Sequence, residues 1–235
     1  MKKEPIILNI ESATDKCSVS ISRGETVISF QEAEKSFEHA KVLTSIIDKC
    51  LVTAGLNLKE MDAVAVSSGP GSYTSLRVGI STAKGICYAL DKPLISVDTL
   101  QALAFSGREA IKFENTYCCP MIDARRMEVY FSLFDENNKL LAGPAAMVVE
   151  EKSFDDYFNK SKKIMFCGNG AEKCKTILTS ENAYFQPSEC SALYLPAISY
   201  KLFKNAEFED VAYFKPKYLK PPNITTPKNV NLLKT

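Results

Sequence analysis

The sequence predicts an α/β protein built from a duplicated βββαβα unit. Two observations lead to this. Near the N-terminus three short strands are joined by tight turns and followed by a helix, a buried strand and a second helix. The same order then recurs in the second half: "ILNIESATDKCSVSISRGETVIS" and "PMIDARRMEVYFSLFDENNKLLAG" share one plan. Each has a buried strand ending in an acid (Glu11, Asp123), a turn, an alternating strand, a polar turn and a third strand.

The elements follow in order. Ile6–Ile10 is an apolar run that reads as a buried strand. Cys17–Ser22 alternates, with Val19 and Ile21 facing one way, Arg23-Gly24-Glu25 turns the chain, and Val27–Phe30 resumes it. Between Glu38 and Ala54 the apolar residues Val42, Leu43, Ile46, Ile47, Cys50, Leu51 and Ala54 recur at helical spacing, and Gly55 supplies a stop. Ala63–Val66 is a short strand. Ser67-Ser68-Gly69-Pro70-Gly71-Ser72 is a breaker-rich loop, and a second helix runs from Tyr73 or Thr74 to Leu90, with Ser72 or Thr74 as its cap. Leu94–Val97 is a strand and Thr99–Ala110 a third helix. In the second half, Cys118–Ile122, Glu128–Phe134 and a strand starting at Lys139–Ala142 form the meander. A helix over Glu151–Lys160, a strand Ile164–Cys167 and a helix Ala171–Leu178 follow. Ala192–Phe203 has helical spacing, and the Pro- and Lys-rich tail from Phe214 reads as irregular.

At 235 residues the chain accommodates one large domain or two small ones. The repeat places a boundary near Ala110–Thr116, giving units 1–110 and 111–235, with a C-terminal tail able to pack back on the first. Lys and Arg number 29 against 28 Asp and Glu. That balance argues against a chain that grips RNA by itself, since such proteins carry a basic excess or stripe. The run Ile6–Ile10 is too short for a signal-peptide core and no segment reaches membrane-spanning length, so a cytoplasmic protein is expected. Eight cysteines are scattered without a Cys-x-x-Cys pair, and His39 is the single histidine. Reduced thiols packed as small hydrophobes are the expectation, with no metal site.

The segment "SSGPGSYTSLRVGISTAKG" closely resembles the signature of the TsaB (YeaZ) family. "ILNIESATDKCSVSI", "EHAKVL", "KPLISVDTLQALA", "IDARRMEVY" and "KPKYLK" resemble further family motifs in the family's order, the last matching its C-terminal Pro-x-Tyr-Leu. The resemblance implies duplicated RNase H-like units of the actin/Hsp70/sugar-kinase (ASKHA) type. It also implies a non-catalytic subunit in tRNA N6-threonylcarbamoyladenosine formation. That subunit pairs with its paralogue TsaD, works with the ATPase TsaE, is linked to the donor-making TsaC and meets tRNA indirectly. A homodimer is an option when it is alone. No resident cofactor is implied, beyond a weak ATP or ADP contact within the complex.

Two groups of residues are singled out. His39, Val42, Leu43, Ile46, Ile47, Cys50, Arg77, Gly79 and Ala83, on the first two helices, are the candidate partner interface. Gly79 and Ala83 are small residues one turn apart that suit close helix contact, and Ala83 is expected to face outward. One apolar line of the first helix, Val42-Ile46-Cys50 or Leu43-Ile47-Leu51, is expected to stay partly exposed. Glu11, Ser12, Gly69, Pro70, Gly71, Ser72, Asp123 and Arg125 are candidate nucleotide or cleft contacts. The Gly69–Gly71 loop lacks the lysine of a phosphate-binding loop, so a structural turn and a weak nucleotide contact both remain open. TsaD-like sites hold a metal with two histidines one helical turn apart; here the second position is Leu43, which implies no metal and no catalytic residue in this chain. Rival readings are an active ASKHA-type ATPase or phosphotransferase, a glycoprotease, and a homodimeric scaffold unrelated to tRNA.

Overall fold

The computed structural model describes residues 4–34, 38–110, 116–159 and 162–221. Strands β1 (Ile6–Glu11), β2 (Ser18–Arg23), β3 (Thr26–Glu32), β4 (Ala63–Ser67) and β5 (Leu94–Val97) form one sheet in the order β3-β2-β1-β4-β5. The second sheet contains β6 (Thr116–Asp123), β7 (Glu128–Phe134), β8 (Leu140–Val148), β9 (Lys163–Cys167) and β10 (Ala183–Gln186), in the order β10-β9-β6-β7-β8. Read from its third strand, each sheet runs 3-2-1-4-5: an antiparallel meander, then two strands parallel to the first. This repeated order is the duplicated RNase H-like arrangement of the ASKHA fold.

Period-two alternation lets β1 serve two cores. Ile6, Leu8 and Ile10 join Val64 and Val66 in the core beneath α1 (His39–Ala54) and α2 (Tyr73–Leu90). Ile7 faces the other way, with Ala63, Ala65, Ile95 and Val97, onto Ala102 of α3 (Thr99–Ala110) and Ile198 of α5 (Pro196–Lys204). α3 also packs on the second sheet, where Leu100, Leu103 and Ala104 meet Cys118, Ile122 and Met165. The outer face of that sheet has its own core of Met121, Val129, Leu133, Phe154, Ile164 and Phe166. A 3-10 turn, Ala192–Tyr194, is tied to β2: the Ser20 hydroxyl donates to the Ala192 carbonyl at 2.7 Å and the Ala192 amide to Ser18 Oγ at 2.9 Å.

Both long helices end as their sequences suggest. Gly55 adopts φ 64° after α1, and its amide returns to Leu51 and Val52. Ser72 caps α2, its hydroxyl oxygen accepting from the Ser75 amide.

The second half departs from the expected helices. Glu151–Lys160 gives turns and a single four-residue α4 (Asp155–Phe158), with Lys160 outside the described residues. Ala171–Leu178 becomes a run of tight turns around Glu172–Cys174, because the amides of Ala171, Cys174 and Ile177 each reach back three residues rather than four. Ala192–Phe203 is divided: Pro196, whose ring suits a first helical turn, starts α5 afresh. Strand β10 has no counterpart among the sequence expectations, and β8 continues to Val148. Of the tail, residues 214–221 are irregular as expected; residues 222–235 lie outside the described residues.

Candidate functional site

A cleft of about 730 Å³ lies between the two halves. The first half lines it with Ala13–Lys16 and with Pro70, Gly71, Ser72, Tyr73 and Thr74; the second contributes Ile122–Arg125, Tyr130 and Asn169, and the C-terminal residues 217–221 complete it. Of the cleft residues expected from sequence, Pro70, Gly71, Ser72, Asp123 and Arg125 therefore meet here. Glu11, Ser12 and Gly69 do not line it: all three are buried.

The glycine loop is held from within. The Ser68 amide donates to Val97 O, the Gly69 amide to Thr99 Oγ1 and the Ser72 amide to Ala13 O, at 2.7–3.0 Å. Three amides of the loop are thus already donated within the chain, and Pro70 has none. Asp123 is likewise engaged. Its Oδ1 accepts the Arg125 amide at 2.9 Å and a charge-assisted bond from Lys173 Nζ. Lys173 also donates to the carbonyls of Arg126 and Glu128, at 2.6 and 2.7 Å, and so clamps the turn in which Arg125 and Arg126 adopt φ 73° and 51°. Other charges on the cleft wall pair with neighbours: Lys16 with Glu189 and Glu32, and Lys220 with Glu128.

Glu11 ends β1 with its carboxyl fully buried. Oε1 accepts the Ala13 amide at 2.6 Å, while among the described residues Oε2 has no partner within hydrogen-bond geometry. Burial pushes the carboxyl up to about 7 against the opposing pull of the Ala13 amide, the Ser67 hydroxyl and the Ser12 amide, so near neutral pH much of it carries a proton. Among the described residues no group of three or more His, Cys, Asp or Glu side chains is placed to hold a metal ion. All eight cysteines are buried free thiols, and Cys119 and Cys190 lie well above the usual thiol range because of burial.

The helix residues are distributed differently from expectation. His39 is buried, its Nε2 bonded to the Lys16 carbonyl at 3.1 Å. Leu43, Ile46, Ile47, Cys50 and Leu51 are all buried, so both apolar lines of α1 are used internally and only Val42 is half-exposed. α1 packs against β2, β3 and α2 together, and a helix seated in such a corner buries a wider arc than one stripe. Ala83 has no exposed surface and Gly79 faces inward: a Cβ there would lie 2.1 Å from Ser12 Oγ. The outward expectation for Ala83 is therefore corrected, because the small residues serve the approach of α2 to β1 and β4 within the chain. Arg77 is exposed, but is drawn to the tail: its guanidinium lies 4.1 Å over the Tyr73 ring, and Nε donates to the Tyr218 hydroxyl at 3.1 Å.

The surface that α1 and α2 do present is another set. Val52 is 80% and Tyr88 86% exposed. A groove of about 680 Å³ is lined by Asn57, Leu58, Lys59, Gly85, Ile86, Ala89 and Leu90. Gly85 has open space beyond it, so no packing within the chain demands a glycine at a helical position where alanine is better by about 1 kcal/mol. Periodicity could not separate Gly85 from Gly79, since both fit the helix; only the tertiary neighbours distinguish them. Tyr218 had a signal, its place in "KPKYLK".

Comparison with known proteins places the chain. The family model described as "TsaD: tRNA N6-adenosine threonylcarbamoyltransferase" matches residues 31–230. The tRNA threonylcarbamoyladenosine biosynthesis protein TsaB of Haemophilus influenzae is 38% identical over 127 residues, 54% of this chain and 52% of that protein, so this match spans about half of the relative's length. The protein of the same name from Buchnera aphidicola subsp. Schizaphis graminum is 30% identical over 173 residues, 72% of this chain and 81% of that protein. The structure of YeaZ from Pseudomonas aeruginosa superposes with a TM-score of 0.79, at 22% identity, over 92% of this chain and 100% of that one, which establishes the shared fold. With the repeated sheet order, the signature loop and these matches together, the chain belongs to the TsaB (YeaZ) family, within the wider group that the TsaD model describes.

Proposed function

We propose that this chain is a non-catalytic subunit in the formation of tRNA N6-threonylcarbamoyladenosine, pairing with and supporting a TsaD-type transferase. In this reading residues 1–110 carry the pairing helices and residues 111–235 form the second subdomain. TsaE and TsaC act alongside in the cytoplasm, and tRNA is met through the complex.

The observation that carries it is the use made of α1. His39 is buried on a backbone carbonyl and the position one turn on, Leu43, is in the core, so the two-histidine arrangement that the TsaD resemblance would require has no place here. Cleft chemistry agrees. Asp123 holds a turn, and the glycine loop spends three amides on its own support. On the outside, Val52, Tyr88 and the Gly85 groove give α1 and α2 apolar surface of the kind a protein partner covers. The same face would serve a self-pair when the transferase is missing.

Gly85→Arg tests the reading. The side chain enters open space, so circular dichroism should be unchanged, while calorimetric titration with the TsaD protein of the same source should lose tenfold or more in affinity, about 1.4 kcal/mol. Unchanged affinity in the folded variant would take the pairing surface off α2. Without TsaD, the chain incubated with TsaC, ATP, bicarbonate, threonine and tRNA should yield no modified adenosine; robust product would overturn the non-catalytic reading.

A further inference from the structure

The C-terminal segment, residues 209–221, carries the Pro-x-Tyr-Leu motif and has little secondary structure of its own, yet it is held along most of its length. The Glu209 amide donates to Leu94 O at 2.9 Å, a one-residue extension of the first sheet's edge. Lys84 of α2 donates to the carbonyls of Ala212 and Phe214, both at 3.1 Å, and the Phe214 side chain is buried in the core under α2. The Lys217 amide donates to Ser68 O at 2.7 Å, where the glycine loop begins. Tyr218 stacks on Tyr73 with ring centroids 4.5 Å apart and an interplanar angle of 25°, and its hydroxyl accepts from Arg77.

Every one of those contacts is to the first half. Two residues later the chain reaches the second, where Lys220 Nζ pairs with Glu128 Oε2 at the start of β7. Residues 217–221 meanwhile form one wall of the cleft between the halves. The two halves are tied by buried contacts and by ion pairs: residues 192–199 of the second dock on β2 and β1 of the first, and Lys16 meets Glu189 on the cleft wall. α3 lies on the second sheet through the apolar contacts of Leu100, Leu103 and Ala104, which are buried and hold at any salt concentration. The tail ties them through one part-exposed ion pair, a weak and screenable contact that can part without unfolding.

We propose that residues 209–221 are a latch that sets the opening of the cleft, with Tyr218 as its anchor on the first half and Lys220–Glu128 as its catch on the second. The role of the Pro-x-Tyr-Leu motif follows. Pro216 has no amide to satisfy, Lys217 docks the backbone, Tyr218 fixes the direction of the chain by stacking, and Lys220 is delivered to Glu128. This assignment stands independently of any partner on α2.

The test measures the distance between the halves in the full chain. Spin labels are placed at Asp48→Cys on α1 and Thr176→Cys in the second half, both exposed positions in a chain whose own thiols are buried. Pulsed dipolar spectroscopy at low salt should give one narrow distance distribution. Lys220→Gln should broaden it and shift it by several ångströms, Tyr218→Ala should do so more strongly, and about 1 M salt, which also screens Lys16–Glu189, should move the otherwise unaltered labelled chain at least as far as Lys220→Gln does. The charge swap Lys220→Glu with Glu128→Lys should restore the narrow distribution, which a merely structural lysine would not do. Distances that stay the same in Lys220→Gln and in high salt would overturn the latch. If Tyr218→Ala fails to fold by circular dichroism, Lys220→Gln and the charge swap decide the matter alone.

Discussion

The two halves share a strand order and differ in what covers it. Over the first sheet lie α1 and α2, of 16 and 18 residues, on a core that is mostly aliphatic, with Phe214 the single ring among its buried residues. Over the outer face of the second lie a four-residue helix and a run of 3-10 turns, on a core rich in phenylalanine. There Phe166 contacts Phe154, Phe158 and Phe185 at centroid distances of 5.0, 6.5 and 5.2 Å. Each ring buries as much surface as two small aliphatic side chains, so a sheet face can be closed by a few aromatic residues on short turns. What the repeat preserves is the meander and its parallel additions; the helical cover is free to change. The first half keeps long helices, and their outward faces carry Val52, Tyr88 and the groove at Gly85.

That contrast can be broken most sharply at its aromatic centre. Phe166→Ala removes a fully buried ring that three others pack against, and should cost about 3–5 kcal/mol in denaturant unfolding. A loss under 1 kcal/mol would mean that the second core does not depend on its rings.

The next effect belongs to the first half and depends on pH. Glu11 has its folded-state value raised to about 7 from an ordinary 4.5. The folded state therefore binds the proton more tightly. The associated stability is fully present below about 4.5 and is lost as pH rises through about 7. Glu11→Gln keeps an oxygen for the Ala13 amide and removes the titration. Relative to the parent chain, it should gain up to about 3 kcal/mol at pH 8, with a smaller difference at pH 5. A difference that does not vary with pH would show that Glu11 is charged throughout.

The smallest pair of effects lies within α2. Gly79→Ala drives a methyl group into Ser12 and should cost about 1–3 kcal/mol, whereas Gly85→Ala, with open space around it, should stabilise by about 1 kcal/mol. Thermal melts of the two variants should move in opposite directions. The same sign for both would remove the distinction between an inward and an outward glycine.

The sequence by itself determined the strand meanders, their duplication, the two long helices and their caps. Each rests on local chemistry: alternation at period two, apolar spacing at three and four, Gly55 at a left-handed stop, Ser72 at a cap. Its motifs also led to the right family; that Pro70, Gly71, Ser72, Asp123 and Arg125 line one cleft while Glu11, Ser12 and Gly69 do not was legible only in the structure. Only the tertiary structure decided which way residues of equal periodicity face. Leu43 and Val42 are adjacent on one helix and Gly79 and Gly85 share another, yet packing against the sheet buries the first of each pair and leaves the second more open. The short turns of the second half were illegible for a related reason. Their helical-looking spacing is shared by any segment that must cover an apolar sheet, and the aromatic core beneath settles how few residues that cover needs. The tail is the clearest case. Nothing local in "KPKYLK" says where it docks; its position follows from Tyr73, Ser68 and Glu128, which the fold assembles from far along the chain.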